Sequence, residues 1–309
     1  MLSSLLPYTG RQTALSDVLS APPILPTGKQ SLGDHAMSYF TSQEIHPGIV
    51  HIGEPAGVHC TLIVGKEKAL LFDTGYGICS IEDYVRSITD LPLYIVNSHC
   101  HLDHAGGNHL FSRVWAYPGE EQIYADYQQE KVSILNQMEK LWRSGKTPRP
   151  WPSDFDRDAY LTFKPCRFLS LADHQIFSLG GRICEIISLP GHTRSSVILY
   201  DHLTGTVLSG DNIARSVWIM FAQSASLAEY RCGLKKLKKE YAVTGILSSH
   251  DSRLLPPSLI DQLIRCIDTR QENSTVFIHP RKGYKALKRK MYADGLGDIY
   301  LVYPLEDKG

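Results

Sequence analysis

Four side chains able to bind a metal stand within six residues in Ser98-His99-Cys100-His101-Leu102-Asp103-His104, behind an apolar run at 93–98. If that run is a strand, its side chains alternate, so His99 and His101 leave its end on one side. The chain then turns, and Asp103 and His104 can face the same point from the start of the next element. Neutral imidazole and carboxylate are the donors that a borderline divalent cation such as zinc accepts. Without a cation, a buried cluster of this kind strands several polar groups at a cost of about 1–3 kcal/mol each.

Three further donors end apolar runs downstream. Leu189-Pro190-Gly191-His192 follows the run 183–189, Leu208-Ser209-Gly210-Asp211 follows Thr206-Val207, and Ser248-Ser249-His250 follows Gly245-Ile246-Leu247. One or two small residues precede each donor, which lets the backbone approach an ion closely; glycine also tolerates positive φ. A solitary histidine is ordinarily a plain core or surface residue, and the chain has 13. The recurrence of strand, small residue and donor is what points to a metal site.

Together with Leu71-Phe72-Asp73-Thr74-Gly75, and in this order, these segments resemble the metallo-β-lactamase-fold hydrolases, specifically their glyoxalase II-like branch with a dinuclear metal centre. The likeness runs from about residue 45 to residue 250. It implies that His99, His101 and His192 hold one divalent ion and that Asp103, His104 and His250 hold a second, with Asp211 bridging the two. Asp73 would orient a ligand by hydrogen bonding. Cys100 fills a slot often taken by Thr or Ser and should point away from the metals. Arg194-Ser195 replace a common Pro-Gly, so Arg194 is either a cation beside the substrate or a solvent-facing turn residue. Asp211 argues against the β-lactamases proper, which usually lack the bridging carboxylate, and His101 against flavodiiron-type members, which carry Glu there.

The resemblance implies hydrolysis. Two ions about 3.5–4 Å apart can share a bridging hydroxide, because a metal lowers the pKa of bound water toward about 7. The expected substrate is a small carboxylic ester, thioester or lactone. Asp103 and Asp211 are the catalytic carboxylates, and no covalent enzyme intermediate forms. The donor set suits zinc, with iron or manganese also admissible. Tyr76 and the tetrad Trp218-Ile219-Met220-Phe221 are candidates for the pocket wall, the tetrad reading alternatively as an ordinary core strand. An apolar wall favours an acyl or aromatic group over a polyanion. The competing reading is a phosphodiesterase or nuclease on the same centre, supported only by the basic stretch 281–290.

Composition narrows the partners. Lys plus Arg (32) equals Asp plus Glu (32), so the overall balance demands neither nucleic acid nor an anionic membrane, and a small-molecule substrate is expected. The seven cysteines form no Cys-x-x-Cys pair, which suits reduced thiols in the cytoplasm. The first residues do not read as a signal peptide, and no window approaches the ~20 apolar residues of a membrane span. The family commonly forms homo-oligomers, though no surface stripe identifies an interface.

The elements that must carry the donors follow from periodicity. Residues 1–37, rich in Ser, Pro and Gly, read as an N-terminal extension, and 38–309 as the metallo-β-lactamase-fold domain with an insertion near 143–165. Strands are expected at 49–52, 60–64 and 69–72, and helices at 81–88, 120–142, 227–241 and 259–267. The lysines at 235, 236, 238 and 239 fall on the solvent face of their helix. The loop 143–157, stiffened by proline, with Trp142 just before it and Trp151 within it, either contacts an apolar substrate or is pinned down by its tryptophans. Leu70-Leu71-Phe72-Asp73 is echoed by Val207-Leu208-Ser209-Gly210-Asp211, and Val96-Asn97-Ser98-His99 by Leu247-Ser248-Ser249-His250. Two related halves of this kind predict an α/β fold, an αββα sandwich of two mixed sheets flanked by helices, with the site along one edge.

Overall fold

The computed structural model describes residues 38–145, 147, 151–162, 165–279, 283 and 285–305. The expected extension 1–37 lies outside these, as do parts of the insertion 143–165 and of the basic stretch 281–290. Short apolar runs bounded by turns pair into two mixed sheets. The first has seven strands in chain order: β1 (Thr41–His46), β2 (Ile49–Gly53), β3 (His59–Val64), β4 (Ala69–Phe72), β5 (Leu93–Val96), β6 (Val114–Ala116) and β7 (Phe168–Ser170). The first four run antiparallel, and β4 to β7 pair parallel. The second sheet contains β8 (Ile176–Ser178), β9 (Ile183–Ser188), β10 (Val197–Asp201), β11 (Thr206–Gly210) and β13 (Gly245–Ser248), in the order β13-β11-β10-β9-β8.

Side-chain alternation divides the interior into layers. Leu70 and Phe72 of β4, Tyr94 and Val96 of β5, and Val197, Leu199 and Leu208 of the second sheet fill the space between the sheets. Leu71 and Ile95 point the other way, to helix α1 (Ile81–Ile88) and its neighbours. Ile198, Val207 and Ile246 meet helices α6 (Leu227–Glu240) and α7 (Ser258–Asp268) on the far side. Helix, sheet, sheet and helix therefore stack in that order, as the sequence predicts. The echoed motifs correspond to matching units: β4 and β5 form a parallel pair carrying Asp73 and His99 just past their ends, and β11 and β13 form another carrying Asp211 and His250.

Local chemistry fixes the helix ends. The Ser80 side chain accepts from the Asp83 N–H at the start of α1, and Ser226 with Glu229 closes a capping box on α6. The single helix expected at 120–142 is two, α3 (Glu120–Gln129) and α4 (Lys131–Arg143), interrupted at Glu130. The buried residues Ile123, Tyr127, Lys131, Ile134 and Met138 keep one face through the break, whereas Val132 and Leu141 lie off its centre and are 50% and 37% exposed. Beyond α4, Trp142 packs edge-on against Trp151 and Trp151 against Phe155, which leads into α5 (Arg157–Leu161). The tryptophans thus pin the described part of the insertion to the first core.

A third sheet adds to the expected pair. It has the order β12-β16-β15-β14, from β12 (Ser216–Trp218), β14 (Ser274–Ile278), β15 (Lys285–Ala293) and β16 (Gly297–Pro304). The run 285–290 reads as a charge cluster because four of its six residues are Lys or Arg. It is instead one arm of a hairpin, turned at Asp294-Gly295 with Ala293 opposite Gly297. No helix among the described residues is long and apolar enough to cross a membrane.

Candidate metal centre

All seven expected donors gather at the edge where the strands of the two main sheets end. His99 and His101 follow β5, and Asp103 and His104 lie on the one-turn helix α2 (Leu102–Ala105). His192 follows β9, Asp211 follows β11 and His250 follows β13. Their ligand atoms fall into three groups, each within 4.8 Å: His99, His101 and His192; His99, His104 and Asp211; Asp103, His104 and His250.

Each histidine has one ring nitrogen engaged from outside and the other turned inward. His104 Nδ1 meets Asp73 Oδ2 at 2.9 Å, His99 Nδ1 meets Ser98 Oγ at 3.0 Å, and His192 Nδ1 meets the Trp218 carbonyl at 2.7 Å. His250 Nδ1 lies 3.4 Å from the Gly57 carbonyl. His101 is reversed: its Nε2 meets the Gln223 side-chain amide at 3.0 Å, and its Nδ1 lies 3.0 Å from His192 Nε2. Such outer partners fix the ring tautomer and leave the inner nitrogen with a lone pair for an ion.

The inward atoms fit a small divalent cation. His99 Nε2, His104 Nε2 and Asp211 Oδ1 are buried without hydrogen-bond partners. Asp211 Oδ1 lies 3.4 Å from His104 Nε2 and 3.2 Å from His250 Nε2, and Asp211 Oδ2 lies 3.5 Å from His192 Nε2. Asp103 Oδ2 lies 3.6 Å from His104 Nε2 and 3.4 Å from His250 Nε2. Four atoms set tetrahedrally about an ion at ~2.0–2.2 Å are separated by about 3.3–3.6 Å. The donors thus keep the spacing of atoms around a shared ion.

The carboxylates make the cluster a place for positive charge: Asp211 and Asp103 raise His250 from 6.5 to about 10 against burial. Burial, with His104, His101 and His192 adding to it, holds His99 well below the usual imidazole range, so it is a neutral donor. Burial alone would raise Asp211, but His250 and His104 outweigh it and keep the carboxylate ionised. His104 goes the other way: against burial, Asp211, Asp103 and Asp73 draw it well above its ordinary value.

Backbone shape brings the edges together. Asp73 adopts a left-handed φ of 66°, uncommon for a residue other than glycine. Its carboxylate accepts from the Ser98 N–H at 2.7 Å and the Ser98 hydroxyl at 2.8 Å as well as from His104. Gly210 has φ 53°, and a Cβ there would stand 2.5 Å from Ser98 Oγ, so only glycine lets β11 deliver Asp211 beside the first motif. At Gly75 (φ 68°) a Cβ would stand 1.8 Å from Glu54 Oε1.

That Glu54 carboxyl is buried, accepts from the Tyr76 N–H at 3.1 Å, and takes the Tyr39 hydroxyl at 3.3 Å. Burial raises its pKa from 4.5 to about 8. The folded state therefore keeps a proton that the unfolded chain releases. This contribution to stability is complete below about pH 4.5 and is lost as pH rises through about 8. Glu54→Gln is expected to flatten the decline: thermal scans from about pH 5 to pH 9 should show the variant gaining several degrees on the parent only at the alkaline end. Parallel curves would disprove the raised pKa.

A cavity of about 280 Å³ opens onto the donors. His101, Asp103, His192, Asp211 and His250 form its floor, and Tyr127, Ser216, Trp218 and Phe221 its walls. The tetrad is split: Trp218 and Phe221 face the cavity, whereas Ile219 and Met220 are buried. Two expected pocket residues are not among the lining residues. Arg194 is 63% exposed and reaches Glu229 at 3.4 Å, the geometry of a solvent-facing turn residue. Tyr76 is half-buried against the first core, and its carbonyl accepts from the Tyr160 hydroxyl.

Sequence reasoning missed Glu120, Gln223 and the wall role of Tyr127. Glu120 is buried at the start of α3; its Oε2 accepts from the Cys100 N–H at 2.6 Å, and its Oε1 accepts from the Thr193 hydroxyl at 2.7 Å and the Ser195 hydroxyl at 2.5 Å. It ties the loop bearing His99 and His101 to the loop bearing His192. Tyr127 carried a legible signal, its place on the apolar side of a helix, but nothing local marks Glu120 or Gln223. Cys100 is wholly buried.

A family model described as the Metallo-beta-lactamase superfamily matches residues 53–246. Among curated proteins, the chain is similar to "Acyl-coenzyme A thioesterase MBLAC2" of Homo sapiens, 28% identical over 214 residues, covering 63% of this chain and 74% of that protein. The Gallus gallus protein of the same name is 27% identical over 218 residues, covering 65% and 76%. "Probable metallo-hydrolase YqgX" of Bacillus subtilis (strain 168) is 27% identical over 157 residues, covering 51% and 66%. Among solved structures, "Metallo-beta-lactamase from Pontibacter korlensis" superposes with a TM-score of 0.53 at 18% identity, over 74% of this chain and 99% of that one, and so shares the fold. On the match of the family model across most of the chain, with the same fold around the donors, the protein belongs to the metallo-beta-lactamase superfamily.

Proposed function

We propose that the protein is a metal-dependent thioester hydrolase with a dinuclear centre. His99, His101 and His192 hold one divalent ion, Asp103, His104 and His250 hold the other, and Asp211 lies between them; zinc is the ion that the donors suit best. The observation that carries this reading is the convergence of seven donors whose histidines all have their outer nitrogens engaged. A hydrolase accords with superfamily relatives named a thioesterase and a metallo-hydrolase. The thioester is supported by the MBLAC2 relatives and by the aromatic wall above the donors. Seven unpaired cysteines support a reducing, cytoplasmic setting.

When bound, the metal ions supply a water activated for attack and a positive charge for the carbonyl oxygen. The chain's residues do the rest. Tyr127, Trp218 and Phe221 pack the acyl group and exclude bulk water from the floor of the cavity. Asp103, held ionised by His104 and His250 against the effect of burial, keeps a negative charge at the floor of the cavity. The leaving thiolate needs little proton donation, since a thiol's ordinary pKa is about 8.5. Asp73, Ser98, Gln223 and the Trp218 carbonyl keep the imidazoles in register.

The test is metal analysis followed by a panel of an acyl-coenzyme A, a p-nitrophenyl ester, a lactone and bis(p-nitrophenyl) phosphate, assayed with zinc, manganese and iron. Thioester turnover is expected to lead, to fall more than about 100-fold on chelation, and to return with the metal. Full activity in metal-free protein, or phosphodiester turnover exceeding all others, would overturn the reading.

A further inference from the structure

The third sheet has two unlike faces. Along β15 and β16, Arg289, Ala293, Ile299, Leu301 and Tyr303 are buried on one face, most of them in the core with α6 and α7. The opposite face begins at the catalytic cavity. There Ala286, Val302 and Phe277 pack with Met220, Trp218 and Phe221, and the Trp218 and Phe277 ring centroids are 5.1 Å apart. Trp218 itself lines the cavity over the metal donors. Stepping outward by two residues at a time, β15 presents Lys288, Lys290 and Tyr292 on this face, and the paired strands present Thr275, Tyr300 and Asp298 beside them.

This outer part is open. A hollow of about 480 Å³ lies over it, and Tyr292 is 70% exposed. Lys288 Nζ stands 4.0 Å from the centroid of the Tyr300 ring and 5.9 Å from that of Phe277, and among the described residues no carboxylate pairs with it. Lys290 Nζ lies 2.9 Å from Asp298 Oδ2. The face therefore carries two ammonium groups against one carboxylate, on a chain whose overall charge is zero.

We propose that this face binds the anionic, phosphate-bearing carrier half of the thioester while the acyl half occupies the metal cavity. The inference rests on the thioester reading above. Charge complementarity and continuity with the cavity select the occupant: ammonium groups attract phosphate oxygens, and the exposed Tyr292 ring gives a planar group a surface to stack on. A small uncharged ester would leave the whole face unused. The Lys290–Asp298 pair restrains the site, so removing Asp298 strengthens it.

The test compares one acyl chain on two carriers, coenzyme A and N-acetylcysteamine, the second lacking phosphates and nucleotide. In a Lys288→Ala/Lys290→Ala variant, KM for the coenzyme A thioester should rise about tenfold with kcat unchanged, while kcat/KM for the N-acetylcysteamine thioester stays at the parent value. Asp298→Asn should move KM for the coenzyme A thioester the other way, a gain that misfolding does not mimic. Calorimetric titration with free coenzyme A, read without turnover, should show the same order of affinities and weaken with added salt. Equal loss on both carriers, or unchanged coenzyme A binding in the lysine variant, overturns the proposal. If the parent hydrolyses neither thioester yet binds coenzyme A through these lysines, the reaction assigned above fails and this binding face stands.

Discussion

Asp211→Ala will lower turnover by well over 100-fold and reduce the metal content of the purified protein from about two ions toward one. The scale follows from outer partners, whose removal alone typically costs about 10–100-fold in metal affinity or activity. Asp211 has more at stake than any outer partner. One of its oxygens lies 3.2 Å from His250 and 3.4 Å from His104, the other 3.5 Å from His192, so its two oxygens face both groups of donors. It is also the carboxylate that His250 and His104 hold ionised against burial. Elemental analysis and kcat measured on the same preparation check the prediction, with circular dichroism verifying the fold. A variant that keeps two ions and full turnover removes Asp211 from the centre.

Glu120→Ala is expected to have the second largest effect, although the residue touches none of the donors' ligand atoms. Its carboxylate is the shared acceptor for the Cys100 N–H and the Thr193 and Ser195 hydroxyls. Truncation orphans the buried Cys100 N–H, at about 1–3 kcal/mol before relaxation, leaves Thr193 with Ser196 Oγ alone at 2.8 Å, and releases the part-buried Ser195 hydroxyl. The loops of His101 and His192 then lose their tie, and those two imidazoles lie 3.0 Å apart in the same donor group. Activity should fall by about 10–100-fold, with a lower melting temperature and weaker metal retention. Glu120→Gln keeps the shape but replaces one acceptor oxygen with an NH2 group, so its losses should be smaller. Excess zinc should restore part of the Ala variant's rate at a temperature where circular dichroism shows the metal-free variant already folded, which separates metal retention from stability. Undiminished metal affinity in that variant would show that Glu120 supports the fold and not the centre.

The donors themselves were legible because a strand end followed by a small residue and a ligand is a local pattern, repeated at His99, His192, Asp211 and His250. Alternation along 69–72, 93–98 and 206–211 carried the layered fold for the same reason, since the pleat sends successive side chains to opposite faces. The third sheet was hidden by its own chemistry. Its lysines, read along the chain, form a charge run, and only the pairing of 285–293 with 297–304 shows that every second residue faces the core.

By itself, the sequence determined which side chains could bind metal, that they follow strand ends, and that two β-rich halves carry them. Tertiary structure alone decided that Glu120 links two ligand loops, that Trp218 and Phe221 face the cavity while Ile219 and Met220 do not, and that Arg194 turns to Glu229. The reason is range. Periodicity reports a residue's orientation relative to its own strand or helix, whereas a buried carboxylate or a cavity wall is defined by partners about 70 to 90 positions away, such as Glu120 with Thr193 or His101 with His192.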